Sequence, residues 1–181
     1  MSITALFGGF LLWTFAEYLL HRFVFHSEYW LPDSRLIRYL HYILHGIHHM
    51  LPTDPYLKTL FRDRLVHPPV LLAIELSILF PLAIKIIRIH DPILFAFFWI
   101  GFGIGYISYD LMHYSLHHVD TSKHKGSWFH KLQKYHNQHH FGGEEAGFGV
   151  SSPLWDYIIG TKFKKNNKSV WSMWAYFNTR E

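Results

Sequence analysis

The hydrophobic positions of the chain gather into three long stretches that are separated by polar segments. The stretches cover about residues 3–20, 70–88 and 92–112 of the 181 residues. Each is close to the length of about 20 residues that a helix needs to cross a bilayer. The pattern therefore predicts an all-α integral membrane protein with about three transmembrane helices. A cleaved signal peptide is the alternative for the first stretch, but neither a basic segment before it nor a small-residue cleavage site after it supports that reading.

Local signals refine the second and third stretches. Pro81 lies inside the second stretch and should kink its helix. Asp91 and Pro92 are a typical cap and first residue of a helix, so the third span is expected to begin there. The two spans should form a tight hairpin, and Gly101 and Gly105 should allow close helix contact in the third.

The two long polar segments carry most of the basic residues. Residues 21–67 hold six Lys or Arg and residues 113–181 hold nine, whereas the predicted hairpin has only Lys85 and Arg88. The positive-inside bias then orients both polar segments toward the cytoplasm and the N-terminus outside. We expect one domain over residues 1–181, in which the two polar segments form a helical cap on the cytoplasmic side.

Composition restricts the possible chemistry. The chain has no cysteine, so any metal must be bound through nitrogen or oxygen. It has 16 His against 13 Asp and Glu, an unusual excess of imidazole over carboxylate. The net charge of +4 is spread among apolar stretches rather than gathered on one basic face, which argues against a nucleic-acid partner.

Ten of the 16 histidines fall into four clusters at span ends or in polar segments. Two clusters read HxxHH and one reads HxxxH, and on a helix each of these should point its histidines in one direction. The first cluster has a spacing of five, which places its two histidines about 140° apart on an ideal helix. They would have to reach two metals, or the helix must end between them. The ten are His21, His26, His45, His48, His49, His113, His117, His136, His139 and His140.

Such an imidazole set suits iron, zinc, copper or nickel, and the donor atoms alone do not choose among them. Ten ligands are too many for one tetrahedral zinc, but they would serve two metals with about five each and an open position for dioxygen. Six other histidines fit no cluster and are expected to have ordinary roles in the core or at the surface. These are His41, His67, His90, His118, His124 and His130.

Acidic and phenolic groups near the clusters are candidates for supporting roles. Glu17 lies four residues before His21, and Asp110 lies three before His113, so each shares a helical face with a candidate ligand. Such a carboxylate could accept the second ring N–H of a metal-bound histidine, although acids near helix ends also reach toward water. Tyr109 is the third candidate. We expect no catalytic side chain beyond the metal ligands.

The clusters, together with the segment GFGVSSPLWDYIIGT, resemble the fatty acid 2-hydroxylases of the fatty acid hydroxylase and sterol desaturase superfamily. The likeness runs from about Tyr18 to Thr161 and covers all ten clustered histidines. It implies two iron ions on those histidines, dioxygen as co-substrate, and oxygen insertion next to the carboxyl or amide of a long acyl chain. Many eukaryotic members carry an N-terminal haem domain, which is expected to be replaced here by a separate ferredoxin- or cytochrome-type electron donor with its reductase.

The sequence therefore predicts a membrane diiron monooxygenase that acts on a fatty acid or a lipid-bound acyl chain. It is expected in the bacterial inner membrane, or in the endoplasmic reticulum of a eukaryote, with zinc able to occupy the sites in purified protein. The alternatives are a carotenoid or sterol-type hydroxylase or desaturase of the same superfamily, and a histidine-rich metal transporter.

Overall fold

The computed structural model describes residues 2–53, 78–79, 81–82, 85 and 90–164. These parts of the chain are helical and contain no β-strand. The second predicted span, 70–88, lies largely outside them, and so does His67. The α-helices are α1 (Ser2–Leu19), α2 (Arg35–His41), α3 (Ile47–Met50), α4 (Pro92–His118), α5 (Trp128–Gly142) and α6 (Leu154–Ile159).

Helices α1 and α4 are long and apolar enough to cross a membrane. Helix α1 continues through a π-helical turn to Phe25, and α4 runs for 27 residues, six beyond the predicted end of the third span at residue 112. Large apolar side chains project from both helices without cover in the described part of the chain, such as Phe7, Ile107 and Leu111. Two of the three predicted spans are therefore candidate membrane-spanning helices in the structure.

Glycines bring α1 and α4 into direct backbone contact. A Cβ on Gly9 would lie 1.8 Å from the carbonyl oxygen of Phe98, and one on Gly101 would lie 1.9 Å from that of Leu6. Gly105 packs in the same way against Trp13, whose side chain a Cβ would approach to 2.6 Å. The close contact predicted at Gly101 and Gly105 is confirmed, and its partner is the first span.

Aromatic rings fill the space between the same helices on the side toward the histidines. The Trp13 ring meets Phe102 and Tyr106 edge to face, both at 5.1 Å between centroids, and Tyr109 at 5.8 Å. Edge-to-face contact suits the ring quadrupoles and adds to the burial of apolar area. This cluster holds the two ends that carry His21 and His113 at a fixed separation.

Side-chain caps begin α4 and α5. The Asp91 carboxylate accepts a hydrogen bond from Leu94 N at 2.9 Å, with Pro92 in the first turn, so the predicted start of the third span is confirmed. The Ser127 hydroxyl caps α5 by accepting from His130 N. Gln133 of α5 donates to the carbonyl oxygens of Leu116 and Val119, which fastens α5 to the end of α4.

Candidate metal centre

The ten clustered histidines lie in two groups of five, in each of which the candidate ligand atoms all lie within 4.8 Å of one another. We call them the first group and the second group. The first group consists of His21, His26, His45, His49 and His139. The second group consists of His48, His113, His117, His136 and His140.

Each HxxHH motif contributes to both groups. The outer pair, His45 and His49, lies in the first group and the middle residue His48 lies in the second. The motif on α5 is divided in the opposite sense, with its middle residue His139 in the first group. The expectation that each HxxHH motif points all three rings in one direction is therefore wrong. On a helix, residues i+3 and i+4 are 100° apart, so they can face two adjacent sites.

A π-helical turn resolves the spacing of five in the first cluster. Residues Leu20–Phe25 form this turn, and His26 N donates to His21 O at 3.2 Å across five residues. The wider turn brings residues five apart onto one side of the helix, and such turns occur frequently at functional sites. His21 and His26 consequently lie in the same group and do not reach two metals. The second alternative is confirmed, because the helix ends at Phe25, between the two histidines.

The outer ring nitrogen, Nδ1, makes contacts that fix the ring orientation of several histidines in the first group. Nδ1 of His21 donates to Phe148 O at 2.6 Å, and Nδ1 of His139 donates to Ala146 O at 2.8 Å. A carbonyl oxygen only accepts hydrogen bonds, so the proton of each neutral ring is on Nδ1. The Nε2 atoms of these two rings therefore present lone pairs to the interior of the group.

Two carboxylates hold further rings of the first group in the same way. Glu28 Oε1 lies 3.1 Å from Nδ1 of His26, and Glu144 Oε1 lies 3.1 Å from Nδ1 of His49. A carboxylate behind an imidazole is the usual support of a metal-bound histidine, because it fixes the tautomer and makes the ring a stronger ligand. Neither glutamate was predicted from the sequence.

The inner nitrogens of the first group lie close together, and in one pair both present lone pairs. Nε2 of His26 and Nε2 of His139 are 3.0 Å apart, although both rings carry their proton on Nδ1. Nε2 of His45 lies 3.0 Å from that of His21 and 2.8 Å from that of His49. A metal ion at this point would accept all of these lone pairs, so the residues present fit such an ion.

The Nε2 atoms of the second group converge similarly. Nε2 of His117 lies 3.2 Å from Nε2 of His113 and 2.9 Å from Nε2 of His136. Nε2 of His136 in turn lies 3.1 Å from Nε2 of His140. The Nδ1 atoms of His136 and His140 are buried and have no hydrogen-bond partner. The two groups thus share convergent inner nitrogens, and Nδ1 of His45 in the first group likewise has no hydrogen-bond partner.

Burial keeps the imidazoles neutral. Burial, together with a smaller effect of neighbouring histidines, lowers the pKa of His26 to about 2 and that of His139 to about 3. Burial also holds the pKa values of His45, His136 and His140 well below the ordinary value. A neutral imidazole is the form that binds a metal, so near neutral pH these rings need not lose a proton first.

Among the supporting residues predicted on the spans, Glu17 has different contacts from those expected. The Glu17 carboxylate accepts hydrogen bonds from Val150 N, Ser151 N and the Ser151 hydroxyl at 2.7–3.1 Å. The second ring nitrogen of His21 contacts Phe148 O instead, so the expected Glu17 contact with His21 is wrong. Tyr109 stacks on His113 at 5.9 Å between centroids, and Asp110 is buried one position further along α4.

The six unclustered histidines lie outside both groups wherever they are described. His41 contacts Phe25 O and Glu28, and with Glu28 and His26 it forms a smaller set of possible ligands. His130 contacts the Thr121 hydroxyl. His90 and His124 are exposed, and His118 is half-buried in the last turn of α4.

Comparison with known proteins agrees with this architecture. The fatty acid hydroxylase family model matches residues 6–161. The chain belongs to the fatty acid hydroxylase family. Within that family it is 39% identical, over 84% of its length and 36% of the relative, to the ceramide very long chain fatty acid hydroxylase SCS7 of Saccharomyces cerevisiae. It is 39% identical to the human fatty acid 2-hydroxylase and 38% identical to the dihydroceramide fatty acyl 2-hydroxylase FAH1 of Arabidopsis thaliana, again over 84% of the chain.

A solved structure shares the fold. The hydroxylase domain of full-length scs7p superimposes with a TM-score of 0.71 at 36% identity, covering 91% of this chain and 57% of that one. The chain spans 36% of the yeast relative, 38% of the human one and 58% of the Arabidopsis one. The resemblance inferred from the histidine clusters is confirmed at the level of the family.

Proposed function

We propose that the protein is a membrane monooxygenase that hydroxylates a long acyl chain, free or bound in a lipid, at the carbon next to its carbonyl group. The observation that carries the proposal is the pair of five-histidine groups whose inner lone pairs converge. The relatives named fatty acid 2-hydroxylase and dihydroceramide fatty acyl 2-hydroxylase supply the substrate class and the 2-position. The overall change takes dioxygen, two electrons and two protons and gives the alcohol and water.

The ten histidines would hold two iron ions, one in each group. Iron supplies the redox chemistry that reduces and cleaves dioxygen, which zinc in the same nitrogen sites does not. The protein supplies imidazoles of fixed orientation, through the Nδ1 contacts of His21, His26, His49 and His139. The burial of these rings keeps bulk water away from the reacting atoms.

The acyl chain would arrive along the apolar surface of the two described spans. On α4 the exposed side chains of Ile107 and Leu111 lie within two turns of His113, the first ligand on that helix. On the first span the exposed side chains of Leu20 and Phe23 adjoin His21. An uncovered apolar surface of this kind is compatible with lipid and adjoins the histidines directly.

We further propose one hydroxylase domain over residues 1–181, with its catalytic cap on the cytoplasmic side of the membrane. The excess of Lys and Arg in residues 21–67 and 113–181 supports this orientation. The membrane would be the inner membrane of a bacterium, or the endoplasmic reticulum of a eukaryote. A separate ferredoxin- or cytochrome-type protein with its reductase would deliver the two electrons.

Isotope-labelled lipid analysis tests the proposal. The chain is expressed, with a redox donor, in a host that lacks 2-hydroxylated lipids, and the cells are grown under ¹⁸O₂. Mass spectrometry should show acyl groups that carry one ¹⁸O, and fragmentation should place it at carbon 2 of free or lipid-bound chains. His139→Ala should abolish the product, whereas His90→Ala, which changes an exposed histidine outside both groups, should keep it.

Each other outcome decides against a part of the proposal. Oxygen at another acyl carbon would contradict the 2-position, and labelled carotenoid or sterol without labelled acyl chains would contradict the substrate class. Full activity of His139→Ala would contradict the site itself.

A further inference from the structure

The segment 146–151, which follows α5, contacts the first group through its backbone. The carbonyl oxygens of Phe148 and Ala146 accept the Nδ1 protons of His21 and His139. The orientation of two candidate ligands therefore depends on how two peptide units of this segment are held. The residues that hold these two peptides therefore act on the histidines without touching them.

Asp156 holds the first of these peptide units. Its Oδ2 accepts from Gly149 N at 2.8 Å, and this N–H belongs to the same peptide plane as the Phe148 carbonyl that accepts from His21. The N–H and C=O of a trans peptide point in opposite directions within one rigid plane. By fixing the N–H, Asp156 fixes the direction of the carbonyl and with it the His21 ring.

Asp156 also reaches the second peptide unit, through Thr161. Gly147 N donates to Thr161 O at 3.0 Å, and this N–H shares a peptide plane with the Ala146 carbonyl that accepts from His139. The Thr161 hydroxyl in turn donates to Asp156 Oδ1 at 2.7 Å. Both peptides that support the first group therefore depend on one carboxylate, which is 0% exposed.

The glycines of this segment fit the same arrangement. Gly147 has a φ of +77°, a left-handed conformation that side-chain-bearing residues rarely adopt. A Cβ on Gly149 would lie 2.2 Å from Ser152 O and 3.0 Å from Asp156 Oδ2. The absence of a side chain at Gly149 thus lets the backbone approach Asp156 closely.

We propose that Asp156 is a positioning residue for the first group, acting on His21 through the Phe148–Gly149 peptide and on His139 through Thr161. The proposal rests on the proposed function, because it takes the first group to be a metal site. The effect of Asp156 on metal binding should be confined to the first group, since His136 and His140 of the second group have no such contact at Nδ1. A loss of Asp156 should therefore weaken one metal site and leave the other.

Metal content and the spectrum of bound cobalt test this selectivity in purified full-length protein. Asp156→Asn keeps the size of the side chain but replaces one acceptor oxygen with an NH₂ group, which cannot accept from a backbone N–H. Thr161→Val removes only the hydroxyl donor and is the milder second variant. Asp120→Asn is the matched control, because Asp120 is exposed and caps the Ser122 turn.

Two reference variants identify which site is occupied. His45→Ala removes a ligand of the first group and His113→Ala removes one of the second. The unchanged protein and Asp120→Asn should bind two cobalt ions per chain. Asp156→Asn should bind the first-group ion about 10–100-fold more weakly, the range for losing the support of a metal-bound histidine, and Thr161→Val should weaken the same ion by less. Their remaining cobalt spectrum should match that of His45→Ala.

The outcomes separate this inference from the proposed function. If the unchanged protein binds fewer than two metals in the groups, the proposed function fails. If it binds two and both variants also bind two with equal affinity, or lose both together, the positioning role of Asp156 is wrong. Should Asp156→Asn not fold, Thr161→Val decides alone, with a selective loss supporting the inference and any other result overturning it.

Discussion

His48 and His139 occupy matching positions in the two groups of histidines. Each is the middle histidine of an HxxHH motif, and each lies in the group that contains the outer pair of the other motif. The segment around α3 and helix α5 are therefore each tied to both groups. A consequence is that the two groups form together when these two segments pack, rather than one after the other.

The first prediction concerns these two residues. His48→Ala should remove one ligand from the second group, and His139→Ala should remove one from the first, so each variant should lose metal mainly from a different site. Both should lose hydroxylation, because the proposed reaction needs both metals. Metal analysis of the purified variants and lipid mass spectrometry measure the two effects. His90→Ala should keep both metals and activity, and equal loss of both metals in each single variant would contradict the division into two groups.

The sequence pointed to all ten residues of the two groups because their spacing repeats, but it did not divide them correctly. The ideal helix places residues i, i+3 and i+4 on one face, and this approximation hides the 100° between His48 and His49. The π-helical turn between His21 and His26 is set by packing, and the spacing of five only hinted at it. Assignment to one metal or the other needs the positions of neighbouring helices.

The second prediction concerns the carboxylates behind the first group. Glu28→Gln and Glu144→Gln should each weaken metal binding in the first group by about 10–100-fold, because the amide supports His26 or His49 less strongly than a carboxylate does. Titration of the metal-free protein with cobalt measures the affinity. Glu145→Gln is the matched control, since Glu145 adjoins Glu144 in sequence and is exposed. Equal affinity in all three variants would show that the carboxylates do not support the site.

The groups that contact Nδ1 of the histidines were the least predictable part of the site. Glu144 follows His140 by four residues and Glu28 follows His26 by two, so proximity in sequence was a weak available signal. The carbonyl oxygens of Ala146 and Phe148 had none, because every residue has a carbonyl group. Glu17 was singled out because it lies four residues before His21, yet its contacts lie on the 146–151 segment, which only the fold brings beside it.

The third prediction concerns the contact between the two candidate membrane helices. Gly9→Ala should destabilise the protein by about 1–3 kcal/mol, because the new Cβ would lie 1.8 Å from Phe98 O and the helices would have to separate. Gly8→Ala is the matched control, since its Cβ would meet only the Phe98 ring at 3.7 Å. Thermal unfolding in detergent compares the two. A similar midpoint for both variants would contradict the close backbone contact.

The helices themselves were predictable because their hydrophobic lengths, the Asp91 cap and Pro92 are local signals. Which helices pack together was not, because glycines show where a close approach is possible without naming its partner. Gly101 and Gly105 stood out in the third stretch, whereas the close contact at Gly9 follows only from the packing of α1 against α4.

The last prediction concerns pH and the metal-free protein. The pKa of His139 is about 3 and that of His26 about 2 in the folded state, against about 6.5 in the unfolded chain. Between these values the unfolded chain binds more protons, so the stability that is present above pH 6.5 should be lost as the pH falls toward 3. Each such histidine should lower the free energy of unfolding by about 1.4 kcal/mol per pH unit within that window. Thermal unfolding after chelation should therefore show a lower midpoint at pH 5 than at pH 7.5. The difference between the two midpoints should be smaller for His139→Gln. An unchanged or higher midpoint at pH 5 would show that the imidazoles are not buried in the neutral form.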